Sequence, residues 1–379
     1  MTGAHGFNLN ELHHSLCSHI MTPAKTCIDL SKRCCDEATQ ARLRKQEVSN
    51  STLAPITSLS SVYVEVRIDL FVYSTMYPIL KEVLHKSMHG PLHLHCRNLH
   101  VCMLPLCNTV ELLELLNATG VRMIELYSKT LDELNTILPV MVKFRSLRSL
   151  KLLCCFDSIQ RPTPGTEDAM KKFTTIIRQL RSLKELNLRS SSLAGCLQQL
   201  LGGIQEPLES LELGHCDLLP VDLYYLSKSL HISTLKKLDL RGHNLSAHLL
   251  LPFLQLLAAI SSSLLYLDIR LCWLSDHTLS VLVPALCRCS HLRCLVLSMN
   301  PLSFQALKSL FQNCLQLQDL QLVVYSYPQD CYVNGTFFFI DTEKRNRLLA
   351  ELQEILAKAG GGQTLYGRRE CPFSKIQST

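Results

Sequence analysis

The amino-acid sequence predicts an α/β solenoid in which short parallel strands alternate with helices along the chain. Two observations support this fold class. One leucine-containing phrase recurs at intervals that fit a strand plus a helix, and the segments between its copies have a helical spacing of apolar residues. The composition agrees with it, because 47% of the 379 residues are hydrophobic but only 6% are aromatic, so the core must be mainly aliphatic.

The recurring phrase is Leu, two variable residues, Leu, one variable residue, Leu, two variable residues, a small polar residue, one variable residue and Leu. Successive copies are separated by 36, 25, 27, 29, 28 and 25 residues. This pattern is typical of a leucine-rich-repeat solenoid with a horseshoe shape, a parallel concave sheet and convex helices, because stacked units share one core. The copies begin at Leu147, Leu183, Leu208, Leu235, Leu264, Leu292 and Leu317.

The segments between the phrases predict the outer helices. In two units the apolar residues that share one helical face are Leu279, Leu282, Val283 and Leu286, then Leu307, Leu310 and Phe311. Ser275 and Ser303 stand where N-caps would begin these helices. The most apolar segment, residues 249–260, is interrupted by Pro252 and Gln255, so we interpret it as a buried helix and expect no membrane span.

The small polar position of the phrase predicts side chains that point inward and bind backbone groups of adjacent coils. This repeat explains the spacing of its cysteines without a metal or redox site. At one copy the position is a histidine, which we expect to be a hydrogen-bonded core residue. The residues at this position are Cys155, Ser191, Cys216, His243, Cys272 and Asn300.

Three regions are predicted: a short helix and linker in residues 1–60, the solenoid in 61–330, and a helical cap and tail in 331–379. Diverged copies of the phrase, PLHLHCRNL (91–99) and VRMIEL (121–126), indicate that the sheet begins near residue 90. The apolar residues of the tail predict one amphipathic helix that ends at Gly360-Gly361-Gly362. These residues are Leu348, Leu349, Leu352, Ile355 and Leu356.

The composition argues against export and against nucleic-acid binding. The 18 cysteines have no framework spacing, and histidines interrupt the first twenty residues where a signal peptide needs an apolar run, so we expect a cytoplasmic or nuclear setting. The net charge is +6, and basic and acidic residues are interleaved, so no basic patch indicates nucleic-acid binding. No particular oligomeric state is indicated.

No enzyme motif stands out in the sequence. Phosphate-loop, dinucleotide and zinc signatures are missing, so we expect a protein that is not an enzyme, with no cofactor and no metal. A cysteine-dependent enzyme built on Cys287, Cys289 or Cys294 is the alternative; more simply, Cys287 packs at a helix end and Cys289 sits in a turn. We interpret the triplet Asn334-Gly335-Thr336 as a turn, because glycosylation needs a secretory route.

Several stretches resemble the family of PRAME and leucine-rich repeat-containing protein 14, and the second branch more than the first. They are VRIDLFVYS (66–74), PLHLHCRNL (91–99), PLESLELGHCDLLPVDLYYLSKS (207–229), LKKLDLRGHNLS (235–246) and YPQDCY (327–332). The resemblance covers roughly residues 60–360 and implies an intracellular scaffold. It implies restraint of innate immune NF-κB or transcriptional signalling, through a partner such as a kinase of that pathway.

The resemblance also implies an alternative role as a substrate receptor of a cullin-RING ubiquitin ligase. Family members have a longer helical N-terminal region with an elongin-binding box. The nearest segment here, LHHSLCSHI (12–20), has Cys17 five residues after Leu12 where that motif needs four, so we interpret it as an ordinary amphipathic turn.

Equivalent strand positions in stacked coils lie about 4.8 Å apart and form columns on the concave face. Between the second and third leucines the column is Lys151, Asn187, Glu212, Asp239, Asp268, Val296 and Gln321. Two residues later it is Leu153, Arg189, Gly214, Arg241, Arg270 and Ser298.

From these columns we predict a partner-binding surface, because Tyr and Arg are favoured interface anchors. The alternative is that the aspartates pair with their neighbouring arginines in a solvated face, where each pair contributes about 0–1 kcal/mol. If the surface binds a partner, charge reversal at Asp239 and Asp268 should weaken partner capture without unfolding the chain. The surface consists of Glu212, Asp239, Asp268, Arg241, Arg270 and the flanking Tyr266.

Overall fold

The computed structural model describes residues 64–89, 92–127, 130–153, 164–246, 248–314, 316–333, 339–357 and 364–368. It divides into two units, the first ending at Arg122 and the second beginning at Met123. Several sequence predictions lie outside the described residues: the helix and linker of 1–60 with the segment 12–20, Cys155, the triplet 334–336 and the glycines 360–362.

The first unit contains two strand-and-helix pairs. These are β1 (Val64–Val72), α1 (Tyr77–His89), β2 (Leu92–Val101) and α2 (Leu106–Leu115). The strands are parallel, with Val64 opposite Leu92 and Val72 opposite Val101. The prediction that the sheet begins near residue 90 was therefore wrong. The strand β1 lacks the leucine phrase and instead alternates exposed and half-buried residues, which is the period of a strand with one covered face.

The described residues of the second unit form nine strands, each paired in parallel with the next in chain order. They are β3 (Met123–Tyr127), β4 (Ser149–Leu153), β5 (Glu185–Asn187), β6 (Ser210–Glu212), β7 (Lys237–Asp239), β8 (Tyr266–Asp268), β9 (Cys294–Val296), β10 (Leu322–Ser326) and β11 (Thr364–Arg368). The register aligns the middle leucines of the phrases, from Leu150 through Leu186 to Leu295. The predicted leucine-rich-repeat solenoid is confirmed in this unit.

Helices connect these strands. They are α3 (Leu131–Met141), α4 (Pro164–Ile177), α5 (Leu197–Leu201), α6 (Pro220–Leu226), α7 (Leu250–Ile260), α8 (Asp276–Leu286), α9 (Phe304–Cys314) and α10 (Thr342–Ala357), with a 3-10 turn at Gln329–Cys331. Both predicted N-caps are confirmed, because Ser275 accepts from the Thr278 N–H and Ser303 from the Ala306 N–H, each at 3.1 Å. No helix within the described ranges is long and apolar enough to cross a membrane.

The core of the second unit lies between the strands and the helices and consists mainly of leucine. The phrase leucines Leu186, Leu211, Leu238 and Leu267 are buried, as are Leu256 and Leu257 of α7. Burying one such side chain contributes about 1.5–3 kcal/mol. Because every coil supplies several of them, the stack as a whole has a core that no single coil could form.

The small polar position behaves as predicted. Asn300 is buried; its Oδ1 accepts from the N–H groups of Cys272 (2.9 Å) and Leu274 (3.1 Å), and its Nδ2 donates to the carbonyls of Ile269 (2.9 Å) and Leu297 (2.8 Å). The Cys272 thiol donates to the carbonyl of Leu240 in the preceding coil, at 3.3 Å. These side chains therefore join neighbouring coils through otherwise unpaired backbone groups.

His243 makes the bonds of an asparagine at this position. Its Nδ1 lies 2.9 Å from the Leu240 carbonyl, and its Nε2 accepts from the Cys216 N–H at 3.3 Å. The ring must therefore be neutral with its proton on Nδ1, because a charged imidazole has no acceptor. Burial lowers the pKa of His243, the hydrogen bond to Leu240 opposes that shift, and the core role predicted for this histidine is confirmed.

The last copy of the phrase begins at Leu320 and not at Leu317. The register places Leu322 opposite Cys294 and Val324 opposite Val296, so the leucine positions are taken by Leu320, Val323 and Tyr325. Tyr325 is buried at the position that leucine occupies in earlier coils, so this copy of the phrase cannot be recognised from its leucines. Consequently Val324, and not Gln321, belongs to the column that contains Val296.

The predicted tail helix is confirmed as α10, and Leu352 and Ile355 on its apolar face are buried. Lys308 of α9 forms an ion pair with Glu351 of α10. The strand β11 then pairs with β10, so the sheet continues beyond residue 330.

Candidate functional site

Four neighbouring strands bring the predicted site residues together. The register aligns Asn187, Glu212, Asp239 and Asp268 in one row across β5 to β8, and it places Lys237 beside Tyr266. Because strand residues alternate between faces, all of them lie on the side away from the leucine core. We refer to this side of strands β5 to β8 as the exposed sheet face.

Arg241 is held by the carboxylate two residues before it. Its Nη2 lies 2.6 Å from Asp239 Oδ2, and its Nε lies 3.0 and 2.9 Å from the two carboxylate oxygens. Its backbone N–H also donates to Asp239 Oδ1, at 3.0 Å. Burial disfavours the Arg241 cation, but the hydrogen bonds and charge of Asp239 outweigh that effect, so the pKa of Arg241 is raised.

The next coil repeats this arrangement with Asp268 and Arg270. The Arg270 Nη2 lies 2.7 Å from Asp268 Oδ2, and its Nε lies 3.0 Å from each carboxylate oxygen. Arg241 also reaches Asp268, with its Nη2 3.1 Å from Oδ2. Two aspartates and two arginines therefore form one connected ion-pair cluster across β7 and β8.

Each aspartate pairs with the arginine two residues later, as the alternative prediction stated. The pairs do not form the solvated face that this prediction also included. The side chains of Asp239 and Asp268 are only 1% and 0% exposed, because the arginine side chains lie over them. Removing one partner from a buried pair leaves an uncompensated charge. Reversing the two aspartate charges would therefore unfold this region before it reported on binding.

Gly214 makes room for this arrangement. A Cβ atom at Gly214 would lie 2.5 Å from Arg241 Cγ and 3.3 Å from Asp239 Oδ1. Real Cβ atoms essentially never lie within 3.0 Å of an atom such as Arg241 Cγ. Because glycine has no Cβ, the Arg241 side chain lies flat along the sheet and reaches Asp239 and Asp268.

Glu212 is paired in a separate cluster across β5 to β7. Its carboxylate lies 2.6 Å from Lys237 Nζ and accepts from the Asn187 side-chain amide at 2.8 Å. Arg189 lies 3.6 Å away, which is an ion pair too long for a hydrogen bond. The row of three acids is thus compensated at every member by cations on the same or adjacent strands.

Tyr266 connects the two clusters. Lys237 Nζ lies 5.4 Å from the centre of its ring, within the range of a cation–π contact, and its hydroxyl lies 3.5 Å from Asp268 Oδ2. Burial, followed by the Asp268 charge, raises the pKa of Tyr266 to about 12. The hydroxyl is therefore a neutral hydrogen-bonding group at physiological pH.

Three further residues of this region were not included in the predicted site. Lys237 and Arg189 lie on the exposed sheet face, and Trp273, the single tryptophan of the chain, lies in the turn after Arg270 and is 51% exposed. The column two residues before Asp239 and Asp268, which contains Lys237 and Tyr266, would have revealed the lysine. Trp273 lies outside the strand columns, so column analysis could not find it.

Of the three cysteines of the alternative enzyme hypothesis, Cys287 and Cys289 lie just after α8 and Cys294 begins β9. Cys289 is buried, and burial raises the pKa of its thiol to about 12. Cys287 caps α8 and donates to the Asn313 carbonyl at 3.5 Å; a hydrogen bond from Cys314 lowers its pKa to about 6. Cys289 matches the packing role predicted for it, whereas Cys287 lies at the predicted helix end but is half-buried and has a lowered pKa.

Comparisons with known proteins agree with this architecture. The family model described as the PRAME C-terminal domain matches residues 64–375. The chain is 48% identical over 372 residues to leucine-rich repeat-containing protein 14 of Xenopus laevis, covering 95% of this chain and 72% of that protein. It is 40% identical over 334 residues to the Mus musculus protein of that name, covering 84% and 68%.

Among solved structures, the leucine-rich repeat-containing protein LegL7 of Legionella pneumophila matches with a TM-score of 0.51 at 19% identity, covering 79% of this chain and 89% of LegL7. This likeness concerns the fold alone. The family match and the sequence identities go further, and they show that the chain belongs to the family of PRAME and leucine-rich repeat-containing protein 14.

Proposed function

We propose that this chain is a cytoplasmic or nuclear protein-binding scaffold that restrains NF-κB signalling by holding a protein of that pathway on the exposed sheet face. The leucine-rich-repeat fold supports a role in protein–protein interaction in general. The resemblance to the family of leucine-rich repeat-containing protein 14 supports the signalling part, with a kinase of the pathway as the partner.

The observation that supports the docking surface is the separation of charge across it. The exposed fractions of the cationic side chains are 40% for Lys237, 32% for Arg189, 29% for Arg270 and 21% for Arg241, whereas those of their carboxylate partners are 13% for Glu212, 1% for Asp239 and 0% for Asp268. A protein arriving at this face therefore meets guanidinium and ammonium groups.

The same groups are already held in place before a partner arrives. Arg241 and Arg270 are fixed by several bonds each to the carboxylates beneath them, so little side-chain freedom is lost on binding. Arg, Tyr and Trp are the residues that dominate interface energies, and Arg270, Tyr266 and Trp273 stand close in sequence here. The surface fits a partner segment with carboxylate or carbonyl acceptors.

The alternative is a substrate receptor of a cullin-RING ubiquitin ligase, which the match to the PRAME C-terminal domain favours. The two functions differ in what accompanies the protein in cells. A receptor brings elongins and a cullin with it, whereas a scaffold that restrains signalling brings a kinase of the NF-κB pathway without them.

Affinity purification with mass spectrometry, combined with an NF-κB reporter, tests the proposal. We would compare the wild type with the double variant Arg189→Ala and Lys237→Ala, and with Trp273→Ala, which leaves both ion-pair clusters intact. Lys228→Ala is the matched control, because this exposed lysine follows α6 in the helix layer. Unfolding midpoints of all four proteins show whether each variant is folded.

The proposal expects the wild type and Lys228→Ala to recover a pathway kinase and lower the reporter, and the sheet-face variants to lose both effects. Recovery of elongins and a cullin without the kinase supports the receptor instead. If the folded sheet-face variants recover the kinase as well as the wild type does, the docking surface lies elsewhere.

A further inference from the structure

A cavity lined by arginines opens at the edge of the second unit, away from the exposed sheet face. Its volume is about 780 Å³, within the range of small-molecule sites. The turns that follow α3, α4 and α5 form it, at the points where the chain enters β4, β5 and β6. Its polar lining includes Arg145, Arg178, Arg181, Ser182, Gln179 and Gln205.

The repeat itself places two of these arginines side by side. Arg145 and Arg181 each lie four residues before the paired strand residues Ser149 and Glu185, so they occupy the same position in consecutive coils. Each follows a buried apolar residue, Phe144 or Leu180, which anchors the turn. The Ser182 hydroxyl donates to the Arg145 carbonyl at 2.6 Å and joins the two turns.

The charges in this cavity are uncompensated within the part of the chain that the structure describes. No carboxylate lines it, and neither Arg145, Arg178 nor Arg181 forms an ion pair with a described residue. The nearest acid in sequence to the lining, Glu206, is directed to Lys184 at 3.8 Å. Arg145 and Arg181 occupy equivalent positions of adjacent coils, where like charges repel each other.

This combination points to a ligand of opposite charge. A concave surface of one sign concentrates the field and attracts counter-ions. The planar guanidinium group binds phosphate through two parallel hydrogen bonds, and the side-chain amides of Gln179 and Gln205 add donors around the same space. Phe144 and Leu180 add apolar surface to the lining, whereas the three arginines are exposed to solvent.

We propose that this cavity binds a small anion that bears several phosphate groups, through Arg145, Arg178 and Arg181. The site is separate from the exposed sheet face, and its function does not depend on the docking proposal. A single phosphate engages one or two of the three cations, whereas a chain of phosphates engages all three.

Isothermal titration calorimetry with inorganic tripolyphosphate, and with inorganic phosphate as the weaker probe, tests this site at physiological ionic strength. The double variant Arg145→Gln and Arg181→Gln should weaken tripolyphosphate binding by about a hundredfold, since each lost charge-assisted contact weakens binding at least about tenfold. The control Arg288→Gln removes one positive charge, half the change of the double variant, from an exposed turn on the same edge, after α8, and should leave binding within about twofold.

A second measurement is the unfolding temperature, without and with the anion. Without anion, Arg181→Gln should raise the unfolding temperature, because it removes repulsion, and tripolyphosphate should raise the unfolding temperature of the wild type more than that of the double variant. Equal binding by the wild type and the double variant would overturn the proposal. An equal loss in Arg288→Gln would overturn it as well, because it would show attraction to net charge alone.

Discussion

Arg241, two residues after β7, forms an ion pair with Asp268 of β8 at 3.1 Å, so a single guanidinium group joins the ion pairs of two adjacent coils. Asp239 and Asp268 occupy paired positions on neighbouring strands, where two buried carboxylates would repel each other. Because Arg241 contacts both carboxylates, its positive charge offsets this repulsion. The cluster is consequently both a stabilising element of the stack and the support of the exposed sheet face.

Replacing Asp268 with alanine should lower the free energy of unfolding by about 3–5 kcal/mol, because Arg241 and Arg270 lose a buried partner. The control is Glu209→Ala, whose pair with Lys236 at 2.7 Å is exposed and should contribute about 0–1 kcal/mol. Denaturant unfolding measures both. A loss below about 1 kcal/mol for Asp268→Ala would show that the cluster contributes little.

Replacing Asn300 with alanine should lower the free energy of unfolding by about 2–4 kcal/mol, because the N–H groups of Cys272 and Leu274 lose their buried acceptor. Asn244→Ala is the control, since Asn244 is exposed and bonds only locally to Ser246. The same denaturant titration compares them. Equal stability of the two variants would contradict the role of the small polar position in joining coils.

The stability of the chain should fall as the pH falls below about 6.5, in part through His243. Its folded pKa is lowered, so the unfolded state takes up a proton first, and stability is complete above the unfolded pKa and is lost below it. Each such histidine contributes a slope of up to about 1.4 kcal/mol per pH unit. His231, whose pKa burial lowers to about 4, adds a second contribution.

The variant His243→Asn separates these contributions. Asparagine can make the two bonds that His243 makes, as Asn300 does in a later coil, but it does not titrate. We expect near wild-type stability at about pH 7.5 and a smaller loss at about pH 5, with the effect of His231 remaining. An unchanged difference between the two pH values would show that His243 is not responsible.

Replacing Gly214 with alanine should lower the free energy of unfolding by about 1–3 kcal/mol, because the new Cβ displaces the Arg241 side chain. The double variant Gly214→Ala and Arg241→Ala provides the control as part of a double-mutant cycle. If Arg241 is the obstacle, the glycine replacement should be nearly harmless once the arginine is gone. A loss of the same size in both backgrounds would place the cause in the backbone.

The solenoid and its inward polar positions could be predicted from the sequence because both depend on local rules. Leu186, Leu211 and Leu238 recur with the period of one coil, and residues such as Asn300 follow at a constant distance. Two strands do not follow the leucine spacing and could not be predicted from it. The strand β1 has alternating apolar residues in place of the phrase, and β10 has Tyr325 in place of leucine.

The candidate site could be predicted only in part. The columns that contain Asp239, Asp268, Arg241 and Arg270 follow from the repeat, and their pairing follows from opposite charges two residues apart. Their burial does not follow from any column. It depends on Gly214 in the preceding coil, which lets Arg241 lie flat, and on how far a guanidinium group reaches across the strand spacing.

By itself, the sequence determined the fold class, the alternation of strands and helices between the first and the sixth copy of the phrase, and the residues that join neighbouring coils, because these depend on period and hydropathy along the chain. Only the tertiary structure decided which charges meet solvent and which turns converge on the arginine-lined cavity. These properties depend on side chains from different coils sharing the same space, and no spacing within one coil specifies that contact.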